Sequence, residues 1–280
     1  MPLFVQLSEG DRIRLFTKTK ENFGASWNKF YPTLNVSRPM FFNYLSGKNN
    51  LPKNIFLKLQ IISKIKIYDY KKINQNKYVK KEIKNPKMDE YLAEIFGVLN
   101  GDGHLSDIKY EISVVLSSAE KEYCSYLKKL FEKKFKTSFN LLVQPGKIRL
   151  KTYSIELFNI LTNEYELPNG KKKGKLFVPK QVFRRREWII HYIRGLFDTD
   201  GSFYIRREKD PVIEISSADI RFLKEIKSTL NLLGFKMTGG NNKLALYKKE
   251  EIDRFFDIVK PANSKHLKKH QNYLNLIKRW

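Results

Sequence analysis

One cysteine, Cys124, in 280 residues excludes an internal disulfide and a zinc site built on cysteines. Acidic residues are scarce as well: 29 Asp and Glu stand against 54 Lys and Arg, a net charge of +25. That imbalance disfavours a neutral partner and points to a polyanion. No run of ~18 apolar residues occurs, and the N-terminus has no apolar signal core. The expectation is an intracellular protein of the cytoplasm and nucleoid, or of an organelle, with no membrane partner. A phosphate-binding glycine loop and a serine nucleophile elbow are missing too. His266 and His270, four apart, lack the third ligand that a zinc site needs.

What the chain does have is apolar mass, 41% hydrophobic with 35 Phe and Tyr, enough for the core of one large or two modest domains. It also contains one stretch twice. Ile95-Phe96-Gly97-Val98-Leu99-Asn100-Gly101-Asp102-Gly103 returns as Ile193-Arg194-Gly195-Leu196-Phe197-Asp198-Thr199-Asp200-Gly201. Each copy reads as the last turns of a helix. Gly97 and Gly101, then Gly195 and Thr199, put small residues four apart on one helix face, where they let two backbones approach closely. Gly103 and Gly201 suit the left-handed residue that ends a helix. Asp102 and Asp200 fall where the helix dipole is negative, which disfavours a carboxylate by a few tenths to roughly 1 kcal/mol. Packing the two helices together raises that cost, and a divalent cation removes it. Oxygen ligands with open positions suit Mg²⁺, which takes one or two carboxylates plus phosphate and water.

The segment after each copy repeats too. Phe203 and Ile205 alternate with Ser202, Tyr204 and Arg206, and Ile213 and Ile215 alternate with Val212, Glu214 and Ser216. Such alternation predicts a sheet with one buried and one exposed face. Ser117-Ser118-Ala119 matches Ser216-Ser217-Ala218, which turns Val114 and Leu116 inward and Glu111, Ser113 and Val115 outward. Helices are predicted over Glu120–Phe135, with Cys124 buried, and Ile220–Phe235. A second pair of strands comes next in each unit, with Lys147, Arg149 and Lys151, then Lys243, Ala245 and Tyr247, facing out. Each unit closes on a helix, Phe158 matching Phe256.

The predicted fold is therefore α+β: two pseudo-twofold αββαββα units, residues 88–185 and 186–280, packed on their motif helices with saddle-shaped sheets. The outward faces, rich in Arg, Lys, Ser and Tyr, suit phosphate contact and base readout in the major groove. Strands of about seven residues at ~3.3 Å reach ~23 Å. Two sheets plus the centre then cover roughly 15–18 base pairs at ~3.4 Å each.

The paired motif resembles that of the LAGLIDADG homing endonucleases in their two-motif, single-chain form, over about residues 88–280. The resemblance implies that Asp102 and Asp200 bind the metal, Mg²⁺ or Mn²⁺, with backbone oxygens of Gly101 and Thr199 as extra ligands. Asn100 replaces the earlier acid of the motif, which Asp198 keeps. A lysine from each unit is implied near the cut phosphate. Lys175 and Lys265 are the first choices, with Lys173 and Lys268 next. The implied activity is that of a monomeric, site-specific endonuclease that hydrolyses both strands of a long, near-asymmetric duplex target across the minor groove and leaves short 3′ overhangs. The ends, Met1-Pro2 and Lys278-Arg279-Trp280, are not an intein's splicing ends, so the implied host is a mobile intron or a free-standing element. Two rival readings are a catalytically silent transcription regulator and a maturase acting on intron RNA.

Residues 1–65 lack the repeat and are expected to form a small all-α domain. Ser37 is a fair N-cap, and Pro39 is tolerated in the first turn of a helix running to Leu45. A second helix starts at Leu51-Pro52. This pair resembles the recognition helix and following helix of a helix-turn-helix domain, with DNA contacts implied at Ser37, Arg38, Asn43 and Lys48. Residues 66–87 are a lysine-dense linker.

Overall fold

The computed structural model describes residues 4–73, 85–207 and 210–277. The chain divides into two compact units, residues 1–81 and 82–280. Residues 74–84 of the expected linker lie outside the described residues.

The first unit runs β1 (Phe4–Gln6), α1 (Glu9–Phe23), α2 (Trp27–Phe30), a 3₁₀ turn (Tyr31–Leu34), α3 (Arg38–Leu45), β2 (Leu51–Pro52), α4 (Lys53–Ser63) and β3 (Lys71–Ile73). The Ser8 hydroxyl accepts from the Asp11 N–H and starts α1, and Gly24, at φ 66°, ends it. Apolar residues of α1, α2, α3 and α4 meet in one core built on Phe16, Trp27, Phe30 and Phe41, whose rings pack mostly edge to face. The helices beginning after Ser37 and Pro52 fall where sequence places them. The domain is not all-α, however: β1 pairs antiparallel with β2 on one side and β3 on the other. Lys71–Ile73, expected in the linker, is thus the third strand of a sheet.

The second unit holds the repeat. Its first half is α5 (Glu90–Asn100), β4 (Gly103–Ser106), β5 (Glu111–Ser117), α6 (Lys121–Phe135), β6 (Asn140–Gln144), β7 (Lys147–Tyr153) and α7 (Ile155–Asn159), which continues as a π turn to Glu164. After a 3₁₀ turn (Lys180–Arg184), its second half is α8 (Arg186–Asp200), β8 (Gly201–Arg206), β9 (Asp210–Ser216), α9 (Ile220–Leu232), β10 (Thr238–Gly239), β11 (Lys243–Leu246) and α10 (Lys249–Val259). Both halves have the order αββαββα. The two four-stranded sheets have the same order, β4-β5-β7-β6 and β8-β9-β11-β10. A further helix, α11 (Ser264–Ile277), comes after the second half. It buries His266 and Tyr273 and was not expected from the repeat, because it has no counterpart there.

The copies differ in register. Gly103 pairs with Val114, whereas Gly201 pairs with Ile215, the counterpart of Leu116. The first hairpin of the second half is therefore slid by two residues. A slide of two keeps every side chain on its own face, whereas a slide of one would turn the strand inside out. One continuous apolar core joins both halves, with Leu92, Phe96, Leu99, Tyr192, Leu196 and Phe197 of the motif helices at its centre.

Candidate active site

The motif helices α5 and α8 pack backbone to backbone. A Cβ on Gly97 would overlap the Tyr192 carbonyl oxygen, and one on Gly195 would overlap that of Glu94. The Glu94 carboxylate, 1% exposed, lies buried in this helix pair. It accepts from the Tyr126 hydroxyl at 2.5 Å and pairs with His191 at 3.1 Å and Arg194 at 3.4 Å. A buried carboxylate is tolerated only with such partners, so α5, α6 and α8 are fastened at one point.

Gly103 and Gly201 have a different role from the one expected. Neither has a positive φ. The chain instead turns back so tightly that a Cβ on Gly103 would overlap Leu99, and one on Gly201 would overlap Phe197. Glycine is needed there for space.

This packing brings Asp102 and Asp200 together. Gly101 lies against Thr199, and a Cβ on it would sit 3.3 Å from Asp200 Oδ1. Burial raises the pKa of Asp102, helped by Glu120 and opposed by Lys265 and Lys172. Burial and then the Asp102 charge push Asp200 up to about 7, again against Lys172 and Lys265. Two half-buried carboxylates thus face each other with an ammonium from each side.

The two ammoniums are held differently. Lys172 caps α5, donating to the carbonyls of Leu99 at 3.1 Å, Asn100 at 3.0 Å and Gly101. Lys265 pairs with Glu120 at 3.0 Å. Glu120 also accepts from Asn263 at 2.8 Å. Burial alone would raise the Glu120 pKa, but Asn263 and Lys265 outweigh it and hold the carboxyl ionised.

Asn100 and Asp198, the motif's unequal pair, both tether the loops that carry these lysines. Asn100 donates to the Phe177 carbonyl at 2.8 Å and the Tyr192 hydroxyl at 2.7 Å. Asp198 accepts from the Ala262 N–H at 2.8 Å, and its carbonyl accepts from Asn263 at 3.0 Å. Burial lifts Asp198 to about 7, its two loop hydrogen bonds notwithstanding.

Of the lysines chosen from sequence, Lys265 lies at the carboxylates. Lys175 does not: it is exposed, as are Lys173 and Lys268, and Lys268 reaches only Glu122 at 3.7 Å. Lys172 takes the expected place of Lys175. The two loops are anchored by different residues at different spacings, so their alignment is not visible in the sequence. The Gly101 carbonyl, expected on a metal, carries the Lys172 ammonium. The Thr199 hydroxyl turns back onto the carbonyls of Gly195 and Leu196, both at 3.0 Å.

The donors nonetheless fit a hard cation. Among the described residues neither aspartate side chain accepts a protein hydrogen bond, burial raises the pKa of both, and two carboxylates with open positions are the Mg²⁺ pattern. No cluster of three or more His, Cys, Asp or Glu suited to a metal occurs among the described residues, which leaves this pair.

The expected DNA-facing residues lie on the sheet faces opposite the helices. Lys147 is exposed, and Arg149, Lys151 and Glu111 are half-buried. Ser113 departs from expectation. It points to that face but is 1% exposed, because Arg149 reaches across the face to Glu111 at 3.4 Å and covers the short side chain between them. On the second sheet Tyr204, Arg206, Ser216, Lys243 and Tyr247 are exposed and Ser202 and Glu214 half-buried, whereas Ala245 is buried. In the first unit, described by itself, Arg38 is exposed at the start of α3 with its guanidinium 5.8 Å from the Phe42 ring, and Asn43 is half-buried.

Fold and site define a class: an internally duplicated α+β protein whose two halves meet on a helix pair ending in two carboxylates. Residues 187–260 match the family model described as the LAGLIDADG-like domain. The chain thus carries a LAGLIDADG-like domain in its second half, with the same plan repeated in its first, as the paired motif implies. It is also similar to the probable translation initiation factor IF-2 of Methanocaldococcus jannaschii, 28% identical over 199 residues, 66% of this chain and 16% of that protein. The reverse gyrase of Thermococcus kodakarensis is 33% identical over 129 residues, 46% of this chain and 7% of that protein. The chain therefore spans under a fifth of the length of either relative. Among solved structures, a mesophilic variant of the homing endonuclease I-DmoI has a TM-score of 0.46 at 16% identity, covering 61% of this chain and 94% of that one. The meganuclease I-SmaMI bound to uncleavable DNA has a TM-score of 0.45 at 14% identity, covering 69% and 88%. No described helix is long and apolar enough to cross a membrane.

Proposed function

We propose that this chain is a divalent-metal-dependent endonuclease that hydrolyses both strands of a long, specific DNA duplex, acting as a monomer. The observation that supports it most is the meeting of Asp102 and Asp200 at the end of a helix pair, half-buried and facing Lys172 and Lys265. Asp102 and Asp200 would hold Mg²⁺ or Mn²⁺. A cation held there supplies activation of water and stabilisation of the leaving oxygen. Lys172 and Lys265 present positive charge where a phosphate gathers negative charge in the transition state. The sheet faces and the net charge of +25 bind the duplex, phosphate contacts setting its position and base edges its register. Arg38 and Asn43 add contacts from the N-terminal unit.

A catalytically silent DNA-binding protein is the second reading. It draws on Lys172, whose ammonium already supplies positive charge to the end of α5. The test is cleavage of a randomised duplex library with Mg²⁺ and with EDTA, by the wild type and by Asp200→Asn. Metal-dependent cuts at one long sequence, lost in the variant, are expected. Tight duplex binding without cutting in Mg²⁺ or Mn²⁺ would establish the silent reading instead.

A further inference from the structure

The two sheet faces are built alike but carry their central charges on different strands, a guanidinium on β7 and a carboxylate on β9. Counted back from Ser117-Ser118 and Ser216-Ser217, Val115 and Glu214 hold the same place in β5 and β9. Across the first face the row reads Val115, Arg149, Leu142, and it reaches Asp102 through the Val115 N–H. Across the second it reads Ser202, Glu214, Ala245, Thr238. The carboxylate of Glu214 thus stands where the first face has Val115, and the guanidinium of Arg149 where the second has Ala245.

Glu214 is out of character for a phosphate-binding surface. It is one of few acids in a chain of charge +25, and it would repel the backbone that Lys243 and Arg206 attract. It is also fixed in place: Oε2 accepts from the Tyr204 hydroxyl at 3.1 Å and Lys243 at 3.2 Å, and Oε1 from Ser216 at 3.2 Å. Those bonds leave Oε1 with acceptor capacity to spare. A preorganised carboxylate facing a major groove has one good partner class there, an exocyclic amine, and the usual pairing is with cytosine N4. Arg149 has the opposite preference: its fork of donors matches guanine O6 and N7, and flanking apolar side chains favour a thymine methyl. Among the described residues its Nε has no partner and its guanidinium only a 3.4 Å contact to Glu111, so a base edge competes for it readily.

We propose that these two residues tell the half-sites apart: Glu214 selects cytosine on one side of the target, and Arg149 selects guanine beside thymine on the other. Matching places carry unlike side chains, Glu214 against Val115 and Arg149 against Ala245, which cannot both suit a palindrome, so the target is asymmetric at these positions. The inference rests on the reading that the sheet faces bind duplex DNA.

The test is binding selection from randomised duplexes in EDTA, using the full chain as wild type, Glu214→Gln, Glu214→Val and Arg149→Met. Glutamine pairs with adenine N6 and N7. Glu214→Gln should therefore move one target position from cytosine to adenine, Glu214→Val should lose about tenfold in preference there, and Arg149→Met should relax a guanine elsewhere. Enrichment of a specific sequence that is the same in all four proteins overturns this inference alone. Failure of the wild type to enrich any duplex overturns the DNA reading with it. The near-isosteric Gln variant guards against loss of fold, which circular dichroism of each variant checks.

Discussion

Gly97 and Gly195 are reciprocal: each lies where a methyl group would enter a main-chain carbonyl of the opposite motif helix. A carbonyl cannot rotate aside as a flexible side chain can, so an added Cβ must push the helices apart. Overpacking in a close-packed core costs about 1–3 kcal/mol, occasionally more, and the rigid partner places this case at the upper end. Gly97→Ala should lower the urea midpoint, and it should reduce metal-dependent cleavage, because separation of the helices separates Asp102 from Asp200. An unfolding curve that matches the wild type would show that the helices are not in backbone contact.

The lysine assignment separates sequence from structure. Lys172 faces both aspartates, whereas Lys175 points to solvent. Loss of one group that stabilises transition-state charge costs about 10²–10³-fold in rate. Lys172→Met is expected to slow strand cleavage by about that factor, and Lys175→Met to change it little, in single-turnover assays on a supercoiled substrate. The reverse order would mean that the loop takes another arrangement on DNA.

Much of this architecture was legible because helices and strands of a duplicated unit carry the same period twice. The motif helices, both hairpins of each half and the helices between them all come from repeated spacing. The features that stayed hidden have no period to read. The strands Phe4–Gln6 and Leu51–Pro52 are too short to show alternation. Helix α11 occurs once. Ser113 is hidden by an ion pair, Arg149 to Glu111, that joins residues 38 apart in the chain. Gly103 and Gly201 share with a helix-ending glycine the same letter, and only the path of the next strand shows that space, not a positive φ, selects it.

Asp200 gives the metal-free protein a characteristic pH response. Its folded pKa of about 7 lies above the ~3.9 of an unfolded aspartate, so the folded state binds the extra proton between those values. Stability from this group is therefore present at low pH and lost as pH rises from about 4 to about 7. Melting in EDTA across that range should show a downward contribution in the wild type that Asp200→Asn lacks. At pH 8, Mg²⁺ should raise the wild-type melting temperature more than the variant's, since a ligand that binds only the folded state stabilises it. Identical pH slopes for the two proteins would remove the argument that the carboxylate is held at an electrostatic cost.

His266 should act with the opposite sign over part of the same range. It is 1% exposed on α11, its ring 4.4 Å from that of Phe197 in the last turn of α8. Burial, then the charges of Lys265 and Lys269, hold its pKa down to about 3, with Glu120 and the Asp198 main chain opposing them. An unfolded histidine titrates near ~6.5. Between those values the unfolded chain binds the extra proton, so this group's stability is present above about 6.5 and is lost as pH falls toward 3. His266→Phe keeps an aromatic ring against Phe197 and removes the ionisation. The variant should resist acid better than the wild type, with the difference growing below pH 6 and vanishing above pH 7 apart from a constant packing offset. Because α11 carries Lys265 in its first turn, amide exchange in residues 264–270 should quicken at pH 5 in the wild type and not in the variant. Equal exchange at pH 5 would mean that His266 is reached by solvent and that α11 is less firmly seated on α8 than its buried ring implies.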